Sequence, residues 1–525
     1  MNLIDRLLAP LAPGLALRRV QARRRLTAYY EAGAVTERTA NRRAPGTDAD
    51  AAAARRGRIA AVARDLIRNT PLAVRVQQVV TNNVVADGIV PRITLADAVS
   101  GAVPAAVAAR MQRRGMAMIE TVLDRTTVDA DGRQNLYGLQ RLVTNTIVDA
   151  GEALVLRVRP RAGVEAPVQL RVLEPDYLDT SLVGRASGAR GWVHEGIEYA
   201  DDGRRLAYWL FDRHPGSSAW GPGGASMASR RVPASEVLHV YRQDRPRQQR
   251  GGSWFAAIPT APADLGDYAD AELVRHKIAA TFVGFRRLGD TIASAGDPRA
   301  TELGELRPGL IQDIGPDEEM TFPELPDAGD FDPFSRAVLR QIAAGLGVTY
   351  EALTGDLSSV NFSSARMGRV EMDRNISAWQ WLMLIPGFLQ PIEAWLREGW
   401  ARRHPDDAAF VKFLRFEWVP PHRVLVDPTR EIPALKEAVR AGFTSRSAVV
   451  RSFGFDPERL EADIAAENAR ADRHGLQFSS DGRLPAGTPP AGAADEADET
   501  DEQADEADRN VGAAMPSRRS GGTIL

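Results

Sequence analysis

The sequence has no cysteine and only three lysines among its 525 residues. Without cysteine the chain cannot form disulfides, thiolate metal sites or a cysteine nucleophile, and this composition is typical of folding in a reducing compartment. The lysines, Lys277, Lys412 and Lys436, do not stand in the Gly-Lys-Ser/Thr setting of a phosphate-binding loop, which excludes a P-loop ATPase. We predict no cofactor.

An excess of charge of one sign is also lacking, because 66 basic residues face 69 acidic ones and the net charge is −3. This balance argues against a protein that binds nucleic acid with its whole surface, so any contact with DNA must be local. The seven histidines include no pair three or four residues apart, the spacing that places two metal ligands on one helical face. No Gly-x-Ser-x-Gly sequence marks a serine nucleophile. The sequence therefore predicts neither a metal site nor a catalytic residue.

Long uninterrupted apolar runs are absent as well. Two prolines and a glycine break the apolar stretch at residues 7–17, so we predict no secretory signal. The longest uncharged run, residues 375–392, contains asparagine, serine, glutamine and proline, which disfavours a membrane span. We expect the tryptophans of this region to pack in a soluble core or a subunit interface: Trp379, Trp381, Trp395 and Trp400.

The first half of the chain predicts an α+β region. At about 150 residues per domain, the full length suggests three or four compact units. Residues 1–57 are rich in arginine and predict a basic, loosely ordered arm. Helical spacing then predicts helices near residue 58, past Pro71, and at 107–123 and 136–150, which would cover one face of a sheet. Alternating apolar residues predict the antiparallel strands of that sheet at 154–159, 168–172, 197–199, 206–210 and 237–241, with a tight turn at 201–203.

The second half is mostly helical. The most regular helix pattern runs from Pro262 to Phe285, with Thr260 as its N-cap. Its apolar stripe is narrow, so a free monomer would gain little stability from it; the stripe consists of Val274, Ile278, Phe282 and Phe285. Residues 288–332 lose helical periodicity and predict a small inserted loop or β module. Further helices are predicted at 333–345, 366–400, 430–441, 445–453 and 456–475, and the acidic residues 477–525 should be disordered.

An arginine-rich loop precedes the long helix. It contains Arg242, Arg245, Arg247 and Arg250. Guanidinium groups can bind phosphate bidentately, but four cations in nine residues are more simply explained by a solvated loop or an ion-pair surface between subunits. The sequence leaves these alternatives open.

Two sequence elements resemble those of the lambda-type phage portal proteins. One is VLRQIAAGLGVTYEAL at 338–353, followed by VNFSSAR at 360–366. The other is QRGGSW at 249–254, placed before the long helix with its DYADAEL at 267–273. The resemblance extends from about residue 20 to residue 475, and the order of helix, insert and helix supports it.

The resemblance implies a structural protein without catalysis. It implies a multidomain portal fold of the α+β class that assembles into a cyclic ring, commonly of about twelve subunits, at one capsid vertex of the virion. Such a ring forms the channel for genome packaging and ejection and joins head to tail, after assembly in the host cytoplasm. The implied partners are other copies of the chain, the terminase large subunit, the major capsid and scaffolding proteins, the head-tail adaptor and the double-stranded DNA in the channel.

Matching to the family implies a division of the chain. Residues 58–260 resemble the wing, 261–287 and 333–353 the two stem helices, and 288–332 the clip. Residues 354–366 resemble the tunnel loop, 367–424 a helical return to the wing and 425–476 the crown. Residues 1–57 and 477–525 remain the basic arm and the acidic tail.

The channel candidates follow from the need for DNA to slide. Each phosphate held by a cation adds salt-sensitive affinity, so acids and small polar groups suit a surface that confines DNA without binding it. The stem candidates for lining the pore are Asp264, Asp267, Asp270 and Glu272. The tunnel-loop candidates are Ser358, Ser359, Asn361, Ser363, Ser364 and Arg366.

A second function from another class remains open. In it the protein is a metal-dependent hydrolase of nucleic acid or glycan that uses Asp201 and Asp202, or the cluster at residues 317–319. The predicted hairpin turn at 201–203 gives the aspartate pair a simpler role in turn formation.

Overall fold

The computed structural model describes residues 49, 55–95, 103–160, 163–185, 188–217, 228–258, 261–280, 284–287, 311–314, 331–358, 360–421, 427–453, 455, 457–478 and 481–483. The chain divides into two compact units rather than the three or four that its length suggests. The first unit is Met1–Arg55 with Gln243–Arg250, and the second is Arg56–Arg242 with Gly251–Leu525. All the helices and strands given below belong to the second unit.

Four helices form where the sequence predicts them. They are α1 (Arg56–Asn69), α2 (Pro71–Val84), α3 (Ala105–Met118), which continues as a π-helical turn at Ile119–Leu123, and α4 (Leu136–Ala150). Pro71 starts α2 because its fixed φ suits a first helical residue. The Asn135 side chain caps α4, and Gly151 ends it in the left-handed conformation, with φ 92°.

Apart from the strand Val90–Leu95, which pairs with a strand of the second half, the strands of this half form two sheets, whereas the sequence predicted one. The strands are β1 (Val90–Leu95), β2 (Glu152–Val158), β3 (Gln169–Leu173), β4 (Trp192–His194), β5 (Ile197–Tyr199), β6 (Arg205–Phe211), β7 (Ser229–Pro233) and β8 (Val237–Tyr241). One sheet has the order β3-β2-β8 and the other β4-β5-β6-β7. The reason is that β2 is buried on both faces: Ala153 and Val155 join a core shared with the helices, and Leu154 and Leu156 join a second core shared with β5 and β6.

The predicted hairpin is confirmed. β5 pairs antiparallel with β6, with Ile197 opposite Tyr208. The turn between them holds Gly203 at φ 84°, and the Asp202 carboxylate accepts hydrogen bonds from the backbone N–H (2.9 Å) and Nε (2.6 Å) of Arg204. These bonds lower the pKa of Asp202, with the Arg204 backbone bond as the main cause, so the aspartate has the turn role expected of it.

The second half supplies the remaining elements. They are α5 (Ala261–Ala280), β9 (Gly284–Arg287), β10 (Ile311–Ile314), α6 (Phe331–Leu346), α7 (Tyr350–Thr354), α8 (Phe362–Trp379), a π-helix at Gln380–Leu389, α9 (Gln390–Arg403), β11 (Leu414–Val419), α10 (Pro428–Arg440), α11 (Arg446–Ser452) and α12 (Pro457–His474). The three closing helices match their predicted positions.

The long helix is shorter than predicted. It ends at Ala280, and Phe285 lies in β9, which pairs in parallel with β10. The apolar stripe therefore does not continue along one helix as far as Phe285. Thr260 and Phe282, and the side chain of Ile278, lie outside the described residues.

One core joins both halves of the chain, which is why the second unit is not divided further. β1 pairs antiparallel with β11, so that Ile93 lies opposite Phe416, and both belong to the core that α1, α2, α4, α8 and α9 share. Of the predicted tail, the described part includes Arg483, which binds Asp472 on α12 at 3.0 Å. The rest of the tail and most of the predicted arm lie outside the described residues. Among the described helices, none combines the length and the apolar character of a membrane span.

Candidate channel surface and subunit interface

Helix α5 contacts little of its own chain. Among its described side chains only Pro262 is buried, and the pore-lining candidates Asp264, Asp267 and Asp270 are exposed. The fourth candidate, Glu272, is partly buried and pairs with Arg275 at 2.8 Å. The apolar side chains of Leu273 and Val274 are 52% and 53% exposed in one protomer. A long helix with so little burial gains its stability from tertiary partners, and this one has few among the described residues.

An aromatic contact holds α5 against α6. The ring of Tyr268 stacks on Phe331 with centroids 5.4 Å apart and meets Phe334 edge-on at 5.0 Å. Further along, Ile342, Ala343 and Leu346 of α6 enter the main core. The helix pair is therefore anchored to the body through the end of α6.

The glycine-rich motif after α6 fixes the path into α7. Gly347 has φ 73°, and its carbonyl accepts a hydrogen bond from the Asn375 side chain of α8 at 2.9 Å. The Thr349 hydroxyl caps α7, and Arg75 of α2 donates to the carbonyls of Ala352 and Leu353. The body of the protein thus positions the segment that follows α7.

The segment that was matched to a tunnel loop is shorter than predicted. Because α8 begins at Phe362, Ser363, Ser364 and Arg366 lie in the first turns of a helix. Asn361 is its N-cap: the Asn361 side chain accepts from the Ser364 backbone at 2.8 Å, and the Ser364 hydroxyl accepts from the Asn361 backbone at 3.2 Å. This reciprocal capping explains why the two residues stand three apart.

The remaining loop residues bond to one another. The Asp356 carboxylate accepts from the hydroxyl (2.6 Å) and the backbone N–H (3.0 Å) of Ser358 and from the Tyr350 hydroxyl (3.1 Å). These bonds, with the Ser358 hydroxyl first, lower the pKa of Asp356. Leu357 is exposed beside them, a residue that the sequence analysis did not select. Ser359 and the side chain of Ser363 lie outside the described residues.

An exposed apolar pair lies where α8 becomes a π-helix. Trp381 is 54% exposed and Leu382 is 78% exposed, while Trp379, Trp395 and Trp400 are buried as predicted. Trp381 also lines a groove with Arg366 and with Leu435 of α10. Three of these four tryptophans therefore pack in the core. Of the four, only Trp381 is exposed enough to contact another subunit.

The arginine-rich loop is a compact turn. Within the first unit, the Gln248 side chain accepts from the backbone of Asp244 at 2.8 Å and donates to the carbonyl of Arg250 at 2.8 Å. In the second unit, Arg242 lies over the ring of Trp254 at 4.6 Å. The neighbouring Gly251 donates to Glu152 at 2.8 Å, and a Cβ there would lie 2.0 Å from the carbonyl oxygen of Gly151. The glycines of the QRGGSW motif therefore allow a close backbone approach.

Among the described residues, one group has the mutual spacing of metal ligands: Glu174, Asp176 and His214, whose ligand atoms lie within 4.8 Å of one another. Arg64 already lies 2.7 Å from Asp176 and 3.8 Å from Glu174. The Arg64 guanidinium thus supplies the positive charge that a metal ion would otherwise bring to these two carboxylates. The carboxylates of the alternative hydrolase are not gathered here, since Asp202 is in its turn and residues 317–319 lie outside the described residues.

Comparison with known families decides the assignment. The model for "Phage portal protein, lambda family" matches residues 36–380, more than half of the chain. The chain belongs to the lambda family of phage portal proteins. The resemblance and the portal role predicted from it are confirmed, and the family is one of structural components of the phage particle. The hydrolase alternative receives no support.

Individual portal proteins agree with this assignment. A probable portal protein of Halomonas phage phiHAP-1 is 28% identical over 370 residues, which cover 67% of this chain and 69% of the relative. Portal protein B of Escherichia phage lambda is 22% identical over 324 residues, covering 54% of this chain and 59% of the relative. Part of the length of these portal proteins therefore has no match here.

Similar solved structures have low structural scores. A chain from the neck of a native GTA particle with C12 symmetry is 14% identical, with 75% of this chain and 94% of that one covered and a TM-score of 0.37. An HK97 family portal protein from Corynebacterium diphtheriae is 14% identical, with 72% and 97% covered and a TM-score of 0.29. These scores carry no argument about the fold, so the α+β class rests on the helices and sheets described above.

Proposed function

We propose that copies of this chain form a closed ring at one capsid vertex and that the ring is the channel through which double-stranded DNA is packaged and ejected. The supporting observation is α5, a helix of 20 residues whose apolar and acidic side chains are largely exposed in one protomer. In a ring, each such helix has a neighbour on both sides and keeps one polar face toward the hole. A monomer has no such use for it.

Simple geometry is consistent with a DNA channel. Helices about 10 Å across, set twelve to a circle, leave an opening of about 28 Å, which is wide enough for a B-form duplex. Asp264, Asp267, Asp270 and Glu272 are the proposed lining of the stem. Acidic groups repel the phosphates, so DNA is confined without being held.

The loop after α7 is the proposed narrow point of the channel. The Ser358 hydroxyl donates to the Asp356 carboxylate and the Ser364 hydroxyl to the Asn361 carbonyl, so these two donors are not offered to phosphate. Ser359, Ser363 and Arg366 complete the proposed set. Arg366 lies 4.0 Å from Glu431 of α10, which partly neutralises the cation nearest to the loop.

The remaining assignments follow the family. We propose that residues 288–332 form the clip, which meets the terminase large subunit during packaging and the head-tail adaptor afterwards. The helices α10, α11 and α12 are the proposed crown, and the β sheets with α1 to α4 the proposed wing. Assembly with major capsid and scaffolding proteins would take place in the host cytoplasm, and the protein would need no catalysis or cofactor of its own.

The ring is tested by mass and by image. Mass photometry of the purified 57.1 kDa chain should give a discrete species of about twelve copies, and electron microscopy along the axis should give a ring with a central hole. We assign the exposed Leu382, with the neighbouring Trp381, to the interface between subunits, so the variant Leu382→Glu should shift the population toward monomer. Val183→Glu, at a similarly exposed residue, is the control. A stable monomer of the wild type without a hole would contradict the proposal.

The channel is tested by packaging. Arginine substitutions at Ser359 or Ser363 should slow or stall DNA packaging while rings still assemble, because each subunit then adds a cation to the duplex path. DNase-protected DNA per particle is the measurement, and alanine at the same positions is the control. Unchanged packaging by both arginine variants would count against this loop as the narrow point.

A further inference from the structure

A cluster of ionisable side chains lies at the border between the two hydrophobic cores. Its members are Arg64 on α1, Asp149 on α4, Glu174 and Asp176 in the turn after β3, and His214 after β6. Residues beside these members belong to different cores, since Leu66 and Val148 pack in the first and Leu173 and Leu210 in the second. The cluster therefore joins the helical layer to the outer sheet.

One guanidinium connects the cluster. Arg64 Nη2 lies 2.7 Å from Asp176 Oδ2 and 3.8 Å from Glu174 Oε2. Glu174 Oε2 is also 3.1 Å from His214 Nε2, whose ring meets Tyr177 edge-on at 5.6 Å. Arg64 thereby ties α1 to a turn more than a hundred residues away in the sequence.

Asp149 is the member without a matching partner. Its Oδ1 is buried and has no hydrogen-bond partner among the described residues. Burial raises the pKa of Asp149 to about 7; Arg64 opposes this rise, whereas the charges of Glu174 and Asp176 add to it. Three carboxyl groups thus compete for one arginine.

The charged groups of the other elements packed on α1 and α4 are engaged elsewhere. Glu152 of β2 pairs with His239 of β8 at 2.9 Å. The short helical turn Trp254–Ala257, which contacts α1 and α4, has no ionisable side chain. On α2 the single charged residue, Arg75, is directed to the carbonyls of Ala352 and Leu353. Arg171 and Asp131 act on Tyr177, and they pair with each other at 3.0 Å.

We propose that this cluster is a proton-linked joint, in which helix α1 is firmly docked when the Asp149 carboxyl is protonated and more loosely docked when it is ionised. With the proton bound, Arg64 serves two partly exposed carboxylates. Without it, a third negative charge lies beside them, on a carboxyl group whose Oδ1 is buried and has no hydrogen-bond partner among the described residues. Loosening would extend to the start of α1, where Arg56 pairs with Glu195 of the outer sheet at 2.6 Å. The residues before Arg56 belong to the predicted arm. The joint would therefore control how firmly α1, the helix that follows the arm, is held against the outer sheet.

The direction of the effect follows from linkage. The folded cluster keeps a proton on Asp149 up to about pH 7, whereas an undocked carboxyl loses it near its ordinary pKa of 3.8. Docking is therefore strongest below pH 3.8, weakens as the pH rises from 3.8 to about 7, and changes little above that.

Hydrogen exchange of the full-length protein tests this joint. Protection of the α1 amides, corrected for intrinsic rates, should fall about 25-fold between pH 5.5 and 7.5 in the wild type. In Asp149→Asn, which cannot ionise, protection should be the same at both pH values. Asp65→Asn, at an exposed residue of the same helix, should keep the wild-type response.

Two results would overturn the joint. One is α1 protection in the wild type that does not change with pH, a measurement that needs no variant. The other is a folded Asp149→Asn protein with the wild-type pH response. Neither depends on whether the chain forms a ring, so failure here and failure of the proposed channel are separate outcomes.

Discussion

Gly347 constrains the connection between α6 of the proposed stem and α7, which precedes the proposed tunnel loop. It adopts φ 73°, where residues with a Cβ are strained, and an added Cβ would lie 3.1 Å from the Asn375 side chain. The same Asn375 holds the Gly347 carbonyl. The recognisable AAGLGV sequence thus has a direct physical cause in backbone conformation and close packing.

Alanine at Gly347 should be costly. The left-handed backbone costs roughly 1–2 kcal/mol for an L-residue, and crowding against Asn375 adds to it. Calorimetry should show a lower Tm for Gly347→Ala than for Gly355→Ala, because Gly355 has a similar φ of 77° but open space around it. Equal effects of the two variants would mean that Asn375 yields without cost.

Asp407 is a second residue on which packing depends. Its side chain is fully buried, and its carboxylate accepts from Arg110 (2.7 Å), Arg114 (2.6 Å) and the Trp400 indole (3.3 Å). Burial favours the neutral form, but the bonds from Arg114 and Arg110 outweigh it and lower the pKa of Asp407. The carboxylate thus fastens α3 to the end of α9.

Removing this charge should destabilise the protein. Asp407→Asn should cost about 2–3 kcal/mol at pH 7, the low end for a buried pair because both arginines are about one-third exposed. The Asp407 contribution is present above the ordinary carboxyl pKa of 3.8 and is lost as the pH falls through the lower folded value, so the difference in unfolding free energy should vanish in strong acid. The neighbouring Asp406→Asn, at an exposed residue, should change stability little; an equal loss there would contradict the assignment.

Elements differ in how readily sequence predicts them. The closing helices were predictable because caps and glycines mark their ends, as Ser445 does for α11 and Gly442 for the turn after α10. The six residues of β11, LRFEWV, alternate between buried and exposed side chains and could have been found by that period. Its pairing with β1 could not, because register with a strand so distant in sequence is decided by the shared core.

The candidate site was predictable only in part. Sequence placed Ser358, Asn361 and Ser364 close together, but it could not say that their polar groups bond to the loop and to the start of α8. Leu357 and Leu382 were missed because exposure of an apolar residue is a tertiary property. The acidic residues of α5 were found by helical position, and their exposure in the protomer leaves their pore role as a prediction.

The start of α8 permits a test at the level of one element. Asn361→Ala should remove the cap and cost about 1 kcal/mol, whereas Asn361→Asp, which can still accept the bond from Ser364, should cost less. Thermal unfolding with circular dichroism checks both. If alanine and aspartate are equally harmless, the cap does not contribute to the stability of α8.

At the scale of the whole molecule, the body and the last helices contribute unequally to stability. β11 places Leu414, Phe416 and Trp418 in the main core, whereas α10 and α11 have no buried residue. A chain that ends at Pro421 should therefore unfold cooperatively at nearly the wild-type Tm. A chain that ends at Arg403 should lose cooperative unfolding and bind hydrophobic dyes. Comparable folding of the two truncated chains would show that β11 is dispensable for the core.

The pairing of β1 with β11 also has a consequence for synthesis. The edge formed by Val90–Leu95 stays uncovered until the ribosome has released the segment that ends at Val419. Interrupted translation products that end before this point carry an exposed strand edge and an incomplete core, which are targets for chaperones and proteases. Quality control of the nascent polypeptide would thus act before assembly into the proposed ring, and a chain must extend past Val419 before it can complete its core.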